Sequence, residues 1–317
     1  MLRLFKIDNG LLKDMDIDVD AVHSQFREAV WIDVQDPGAE EKKWLQTLTH
    51  EELPKSEELE EIEASARSFV DQDGIHIHSL FLVQSEGRHS TASVACILQN
   101  QRLITIREGE PADFRLLRMR AKRGQVPCES PAAMLITLLD QKVENHADTL
   151  EDIHRQLENV SHFVLENDEA ELEDAISQLA KLEDSNGKIR LCLMDTQRDI
   201  SFLLRSLRNQ PQQTEMLRDI MRDIDTLMSH ATFLFDKINF LMDSTQGFIN
   251  IEQNQIIKIF SIAAVVLLPP TLVASIYGMN FNVMPELKWL LGYPWALCLM
   301  VLSGLAPYWY FKRKGWL

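Results

Sequence analysis

The sequence predicts an α/β domain followed by a stalk of long helices and two C-terminal transmembrane helices. Three observations carry this expectation. Short strand-like runs separated by turn residues fill the first 125 residues, and helical periodicity takes over near Pro131. Two uncharged stretches then close the chain, residues 259–276 (18 residues) and 293–311 (19 residues). Each is near the length a helix needs to cross about 30 Å of hydrocarbon. The expected division is 1–125 for the α/β domain, 126–210 for a helical hairpin, 211–258 for the cytosolic part of a long pore helix, and 259–317 for the two-span domain with an external loop at 277–292.

In the first part, runs 2–7, 29–34, 75–83, 93–98 and 103–107 are alternating or rich in β-branched residues, and turn signals at Asp36-Pro37-Gly38, Asp73-Gly74 and Asn100 separate them. Residues 57–69 read as a helix between strands. Beyond Pro131, Leu and Ile recur at three and four with charge on the other faces, so 131–166 and 169–209 form two helices. A turn near Asn167 and Asp168 would make them an antiparallel hairpin with Glu166, Glu169, Glu171, Glu173 and Asp174 near its tip. After Asn209, Gln210 and Pro211, a helical pattern runs over 213–276, weakened only at Gly247 and at Pro269 and Pro270. Such a helix is about 96 Å long, roughly three hydrocarbon thicknesses. It offers a route by which an internal signal reaches the membrane.

Charge divides the chain in the same place. The net charge is −16, yet residues 243–317 carry five Lys/Arg against three Asp/Glu, leaving −18 on the rest. An acidic domain of that kind does not bind nucleic acid by phosphate neutralisation, and it concentrates cations around itself. Four widely spaced cysteines with no C-x-x-C pair fit a reduced cytosolic domain without structural zinc. His76 and His78 share one face of a strand without a nearby third ligand, which favours a structural or surface role. His146, His154 and His162 are expected on solvent-facing positions, because a spacing of eight does not keep one helical face. The first residues lack an apolar core behind a basic flank, so the N-terminus is expected in the cytosol. Lys312, Arg313 and Lys314 place the C-terminus there too, under the positive-inside tendency.

Read in sevens, Gly247, Asn254, Ser261, Leu268 and Ser275 fall in one line, beside Asn250, Ile257, Ala264, Thr271 and Gly278. A period of 3.5 marks a helix packed at a shallow angle against copies of itself, and most of these residues are small or polar. Small residues also occur where membrane helices simply touch; the Asn and Thr among them favour a pore lining. Two spans per chain cannot enclose a hydrated channel, so the pore requires several copies around an axis. A wall with few formal charges suits an ion that keeps its water, as Mg²⁺ does, engaged by neutral oxygens of Asn280, Thr271 and the backbone. A zinc path would show His or Cys instead. Leu268, the largest apolar member, is either a ring that dewets when the helices close or an ordinary packing residue.

These residues also resemble a known family. The segment PPTLVASIYGMNF, MPEL at 284–287 and the ending FKRKGWL are similar to the bacterial CorA magnesium/cobalt transporters, as are EIEASAR at 61–67, RLCLMDTQR at 190–198 and GFINIEQNQIIKIFS at 247–261. The resemblance implies a funnel-shaped homopentamer in the bacterial inner membrane, carrying Mg²⁺ and also Co²⁺ and Ni²⁺, with both termini cytoplasmic. It implies that Asn280 rings the outer mouth and binds hydrated Mg²⁺, with Gly278 and Met279 holding the loop. Pore-lining positions carry over to Asn254 and Thr271, and the hydrophobic constriction to Leu268, where some relatives have Met. Cytosolic Mg²⁺ sensing between subunits carries over to Asp219 and Asp223 as candidates. An inward flux needs no ATP, since a charge of +2 gains about 4.6 kcal/mol per 100 mV of inside-negative potential. The absence of G-x-x-x-x-G-K-[ST] agrees. Neither an enzyme nor an organic cofactor is expected. The competing readings are a zinc transporter of the same superfamily and a membrane-anchored scaffold whose acidic helices dock a basic partner.

Overall fold

The structure, a computed structural model, describes residues 1–18, 22–46, 68–85, 87–126, 129–166, 172–280 and 284–316. Two compact units divide at Met242 and Asp243.

Among the described residues of the first unit, seven strands form one sheet: β1 (Leu2–Asp8), β2 (Leu11–Met15), β3 (Trp31–Gln35), β4 (Ser68–Val70), β5 (Ile75–Ser85), β6 (Arg88–Leu98) and β7 (Leu103–Arg107), in the order β2-β1-β3-β7-β6-β5-β4. Among these described strands only β3 and β7 pair in parallel. The β1–β2 hairpin turns on Asn9 and Gly10, whose φ values of 53° and 77° suit a tight two-residue turn matched to strand twist. α1 (Val22–Glu28) sits on one face, where Val22 and Phe26 pack with Leu2, Leu4, Ile32, Val34, Ile97 and Ile104. α2 (Ala39–Gln46) contributes Trp44 to that side.

The other face carries α3 (Ala112–Lys122), α4 (Pro131–Glu166) and α5 (Leu172–Ser206) over a core of Phe5, Trp31, Ile77, Phe81, Leu103 and Phe114. α4 starts where chemistry dictates. The Ser130 hydroxyl accepts from the Ala133 N–H at 3.2 Å, and Pro131 fills the first helical position, where no N–H is needed. α6 (Pro211–Tyr277) also begins on a proline; Leu217, Ile220, Ile224, Ala231, Leu234 and Ile238 join the same core, and Asn186 Nδ2 donates to the Ala231 carbonyl at 2.9 Å.

In the second unit, the end of α6 is followed by a 3-10 turn, Pro285–Lys288, and by α7 (Gly292–Arg313). Among the described residues α6 is the one helix both long and apolar enough to qualify as a membrane span. α7 has 22 residues, about 33 Å at 1.5 Å per residue, but its Tyr, Trp and Pro residues dilute its apolar character.

Several details differ from the sequence expectations. His146 is fully buried rather than solvent-facing, and burial pushes its pKa down to about 3. His162 is exposed, and His154 is half-buried, its ring 5.8 Å from that of His230. Ser68 and Phe69, expected at the end of a helix, lie in β4, while 57–67 fall outside the described residues, as do Asn167 and Asp168. β2, α1, α2 and α3 had no counterpart in the sequence reading.

Candidate functional site

The expected pore positions lie on the C-terminal part of α6. Asn254, Ser261, Leu268, Thr271 and Ser275 are all exposed, with Leu268 at 64%. The least exposed positions over the same stretch are Ile262, Val266, Pro269, Pro270, Val273 and Tyr277, which keep a three-and-four spacing along one side of the helix. On α7 the corresponding set is Gly292, Ala296, Met300, Ser303, Gly304, Pro307 and Phe311. The helices therefore turn one stripe of each inward, and the small and polar stripe of α6 is left uncovered within one chain.

Pro269 and Pro270 stand inside α6 without N–H groups, so the carbonyls of Val265 and Val266 lose their helical donors. One step further on, the Thr271 hydroxyl is turned back onto the Leu267 carbonyl at 2.8 Å. Its oxygen keeps lone pairs free to accept from a water.

α6 ends at Tyr277. The Gly278 amide still donates to Ala274 O at 2.9 Å and the Met279 amide to Ile276 O at 3.3 Å. A Cβ on Gly278 would stand 3.1 Å from Ala274 O, tighter than ordinary packing. Gly278, Met279 and Asn280 are exposed at this helix end, where unpaired carbonyls give the partial negative charge that attracts cations. Residues 281–283 fall outside the described set. The chain then forms the Pro285–Lys288 turn, which Gly292 fastens: a Cβ there would lie 2.2 Å from Glu286 O. Glu286 adds a half-buried carboxylate to this loop.

The two regulatory candidates are also exposed. Asp219 is held by Arg222. Asp223 raises the pKa of Asp140 on α4, where burial has the larger effect and Glu144 adds to it. Sequence reading missed Asp140 and Glu144, because a helix pattern does not show which carboxylates face a helix 80 residues on. Among the described residues no group of three or more His, Cys, Asp or Glu is placed to hold a metal ion within one chain.

An α/β unit joined to a long helix with an uncovered polar stripe, and an apolar partner helix after a short loop, has the plan of a membrane transport protein with a soluble domain. A family model described as CorA-like Mg²⁺ transporter protein matches residues 27–313, and the chain belongs to that family. It is 48% identical over 320 residues to the magnesium transport protein CorA of Escherichia coli, and 47% identical over 319 residues to that of Pectobacterium atrosepticum, with 100% of both chains covered in each case. The solved structure of the CorA magnesium transporter from Methanocaldococcus jannaschii superposes with a TM-score of 0.76 at 20% identity, covering 100% of this chain and 99% of that one. The last comparison bears on fold alone.

Proposed function

We propose that this chain is the subunit of a homopentameric Mg²⁺ channel of the inner membrane, with 1–125 and 126–210 in the cytosol, α6 crossing from 259 onward, α7 returning, and 277–292 outside. The observation that carries the reading is the full-length 48% identity to a magnesium transport protein, over a chain that leaves Gly278, Met279 and Asn280 exposed at the end of its apolar helix. Asn280 offers a neutral oxygen and an amide, suited to the waters of hydrated Mg²⁺ without stripping them. The uncovered stripe of Asn254, Ser261, Leu268, Thr271 and Ser275 lines the path, with Leu268 as its apolar constriction. Co²⁺ and Ni²⁺, also octahedral when hydrated, follow the same path.

Membrane potential drives entry, as the charge of +2 requires. The regulatory part of the reading rests on the acidic soluble unit. Carboxylates such as Asp140, Glu144 and Asp223 already repel one another, and cytosolic Mg²⁺ between neighbouring copies, at Asp219 and Asp223, would screen that repulsion and favour the closed state. The test is Mg²⁺ entry into proteoliposomes under an inside-negative potential, with Zn²⁺ as competitor. Mg²⁺ entry that excess Zn²⁺ leaves largely intact supports the reading; entry of Zn²⁺ alone replaces it with a zinc transporter, and entry of neither points to a scaffold.

A further inference from the structure

The two helices of the second unit press together at one backbone position. A Cβ built on Gly304 of α7 would stand 3.2 Å from Pro270 Cγ and 3.5 Å from Val266 O on α6. Val266 O is one of the two carbonyls that Pro269 and Pro270 leave without a helical donor. A helix lacking two consecutive hydrogen bonds bends most readily there, so whatever packs against that turn sets its course. Leu268 and Thr271 lie within two residues of Pro270 and are exposed.

We propose that Gly304 is a positioning residue for conduction: its missing side chain seats α7 against the turn that Pro269 and Pro270 weaken, and so fixes where Leu268 and Thr271 stand in the pore. The inference rests on the reading of α6 as the pore-lining helix. The contact is tight enough that even a methyl group must displace the proline ring or the helix that carries it, by a few tenths of an ångström. A larger side chain must move the helices apart. Around a symmetry axis each displacement is repeated in every copy, so a small shift per chain changes the width of the whole ring.

The test uses the full chain in proteoliposomes with a Mg²⁺-sensitive dye, comparing wild type, Gly304→Ala, Gly304→Leu, Pro270→Ala and the Gly304→Ala/Pro270→Ala double variant, each normalised to assembled oligomer. Maximal flux is expected to fall about threefold or more in Gly304→Ala, as contacting residues couple, and further in Gly304→Leu. The Mg²⁺ concentration for half-maximal flux should stay near wild type, because Asn280 lies ten residues beyond Pro270, past the end of α6, whose last seven residues alone span about 10 Å. Removing the proline ring should rescue Gly304→Ala to within about twofold of Pro270→Ala alone. Wild-type flux in both Gly304 variants overturns the proposal. So does a loss that Pro270→Ala does not rescue, or one that disappears on normalising to assembled oligomer, which marks a purely structural contact. Should wild type itself carry no Mg²⁺, the pore-helix reading fails and this inference with it; flux in wild type without coupling removes the Gly304 inference alone.

Discussion

Arg107 and Asp33 form a fully buried, two-bonded ion pair across the parallel strands β3 and β7, Nε to Oδ1 at 3.1 Å and the second nitrogen to Oδ2 at 3.0 Å. Thr105 donates to the same carboxylate at 3.0 Å, Arg118 reaches it from α3 at 3.2 Å, and the Arg107 guanidinium lies 4.5 Å from the centroid of the Phe114 ring. Every polar atom of Asp33 thus has a partner where no water reaches. Removing the carboxylate leaves the buried Arg107 guanidinium without an ion partner, while Arg118 keeps Glu110. Asp33→Ala should cost about 3–5 kcal/mol and lower the melting temperature of the soluble unit by roughly 10 °C, measured by tryptophan fluorescence in detergent.

Lys142 and Asp199 meet through a hydroxyl. Lys142 donates to Ser79 at 2.8 Å, and Ser79 donates to Asp199 at 2.5 Å, with all three buried. Burial pushes the Asp199 pKa up to about 7 from its ordinary 3.8, against the pull of Lys142, and Asp195 adds to the rise. An acid with a raised folded pKa contributes stability that is fully present below the unfolded value and lost as pH rises through the folded one. That contribution should therefore disappear between about pH 4 and pH 7. Relative to wild type, Asp199→Asn should gain stability over this window and level off above it, by roughly 2–4 °C for each kcal/mol of penalty removed. Melting curves at several pH values check the sign.

How much of this was legible beforehand depends on the range of the interaction. The bounds of α4 and β7 follow from local signals: Ser130 and Pro131 start one, and a β-branched run between turns marks the other. α3 was missed because its charged sequence, ADFRLLRMRAK, hides the apolar face carried by Phe114 and Leu117. β2, with Lys13 and Asp14 at its centre, is an edge strand whose pairing is set by the Asn9-Gly10 turn rather than by apolar alternation. The buried ion pair of Asp33 and Arg107 joins residues 74 apart in sequence, so neither partner announces the other. His146 shows the same blindness in reverse, its burial fixed by the helices around it. In the second unit, the pattern in sevens picked positions that from Asn250 onward are exposed in one chain, but nothing in it marked Gly304 or Gly292, whose role is to lack a side chain where backbone passes close.

Gly292→Ala would drive a methyl group into the Glu286 carbonyl, which must then move with the Pro285–Lys288 turn. We expect the Mg²⁺ concentration for half-maximal flux to rise about threefold or more, while the melting of the soluble unit stays at wild type, as distant sites behave additively. Flux titrations and melting curves on the same preparation test both halves.

If Leu268 closes the path by excluding water, a smaller polar residue there should keep it wet. Leu268→Ser should raise Mg²⁺ entry several-fold with high Mg²⁺ inside, the condition proposed to shut the wild type. Wild-type flux at high internal Mg²⁺ in that variant would return Leu268 to ordinary packing.

The most direct measurement of the central claim is Mg²⁺ entry into proteoliposomes under an inside-negative potential, wild type against Asn280→Ala. The account predicts robust entry in wild type and a fall of at least about tenfold in the variant, equivalent to losing roughly 1.4 kcal/mol of ion stabilisation at the mouth. Equal entry in the two, with both intact and assembled, would contradict the placing of the outer ion site at Asn280.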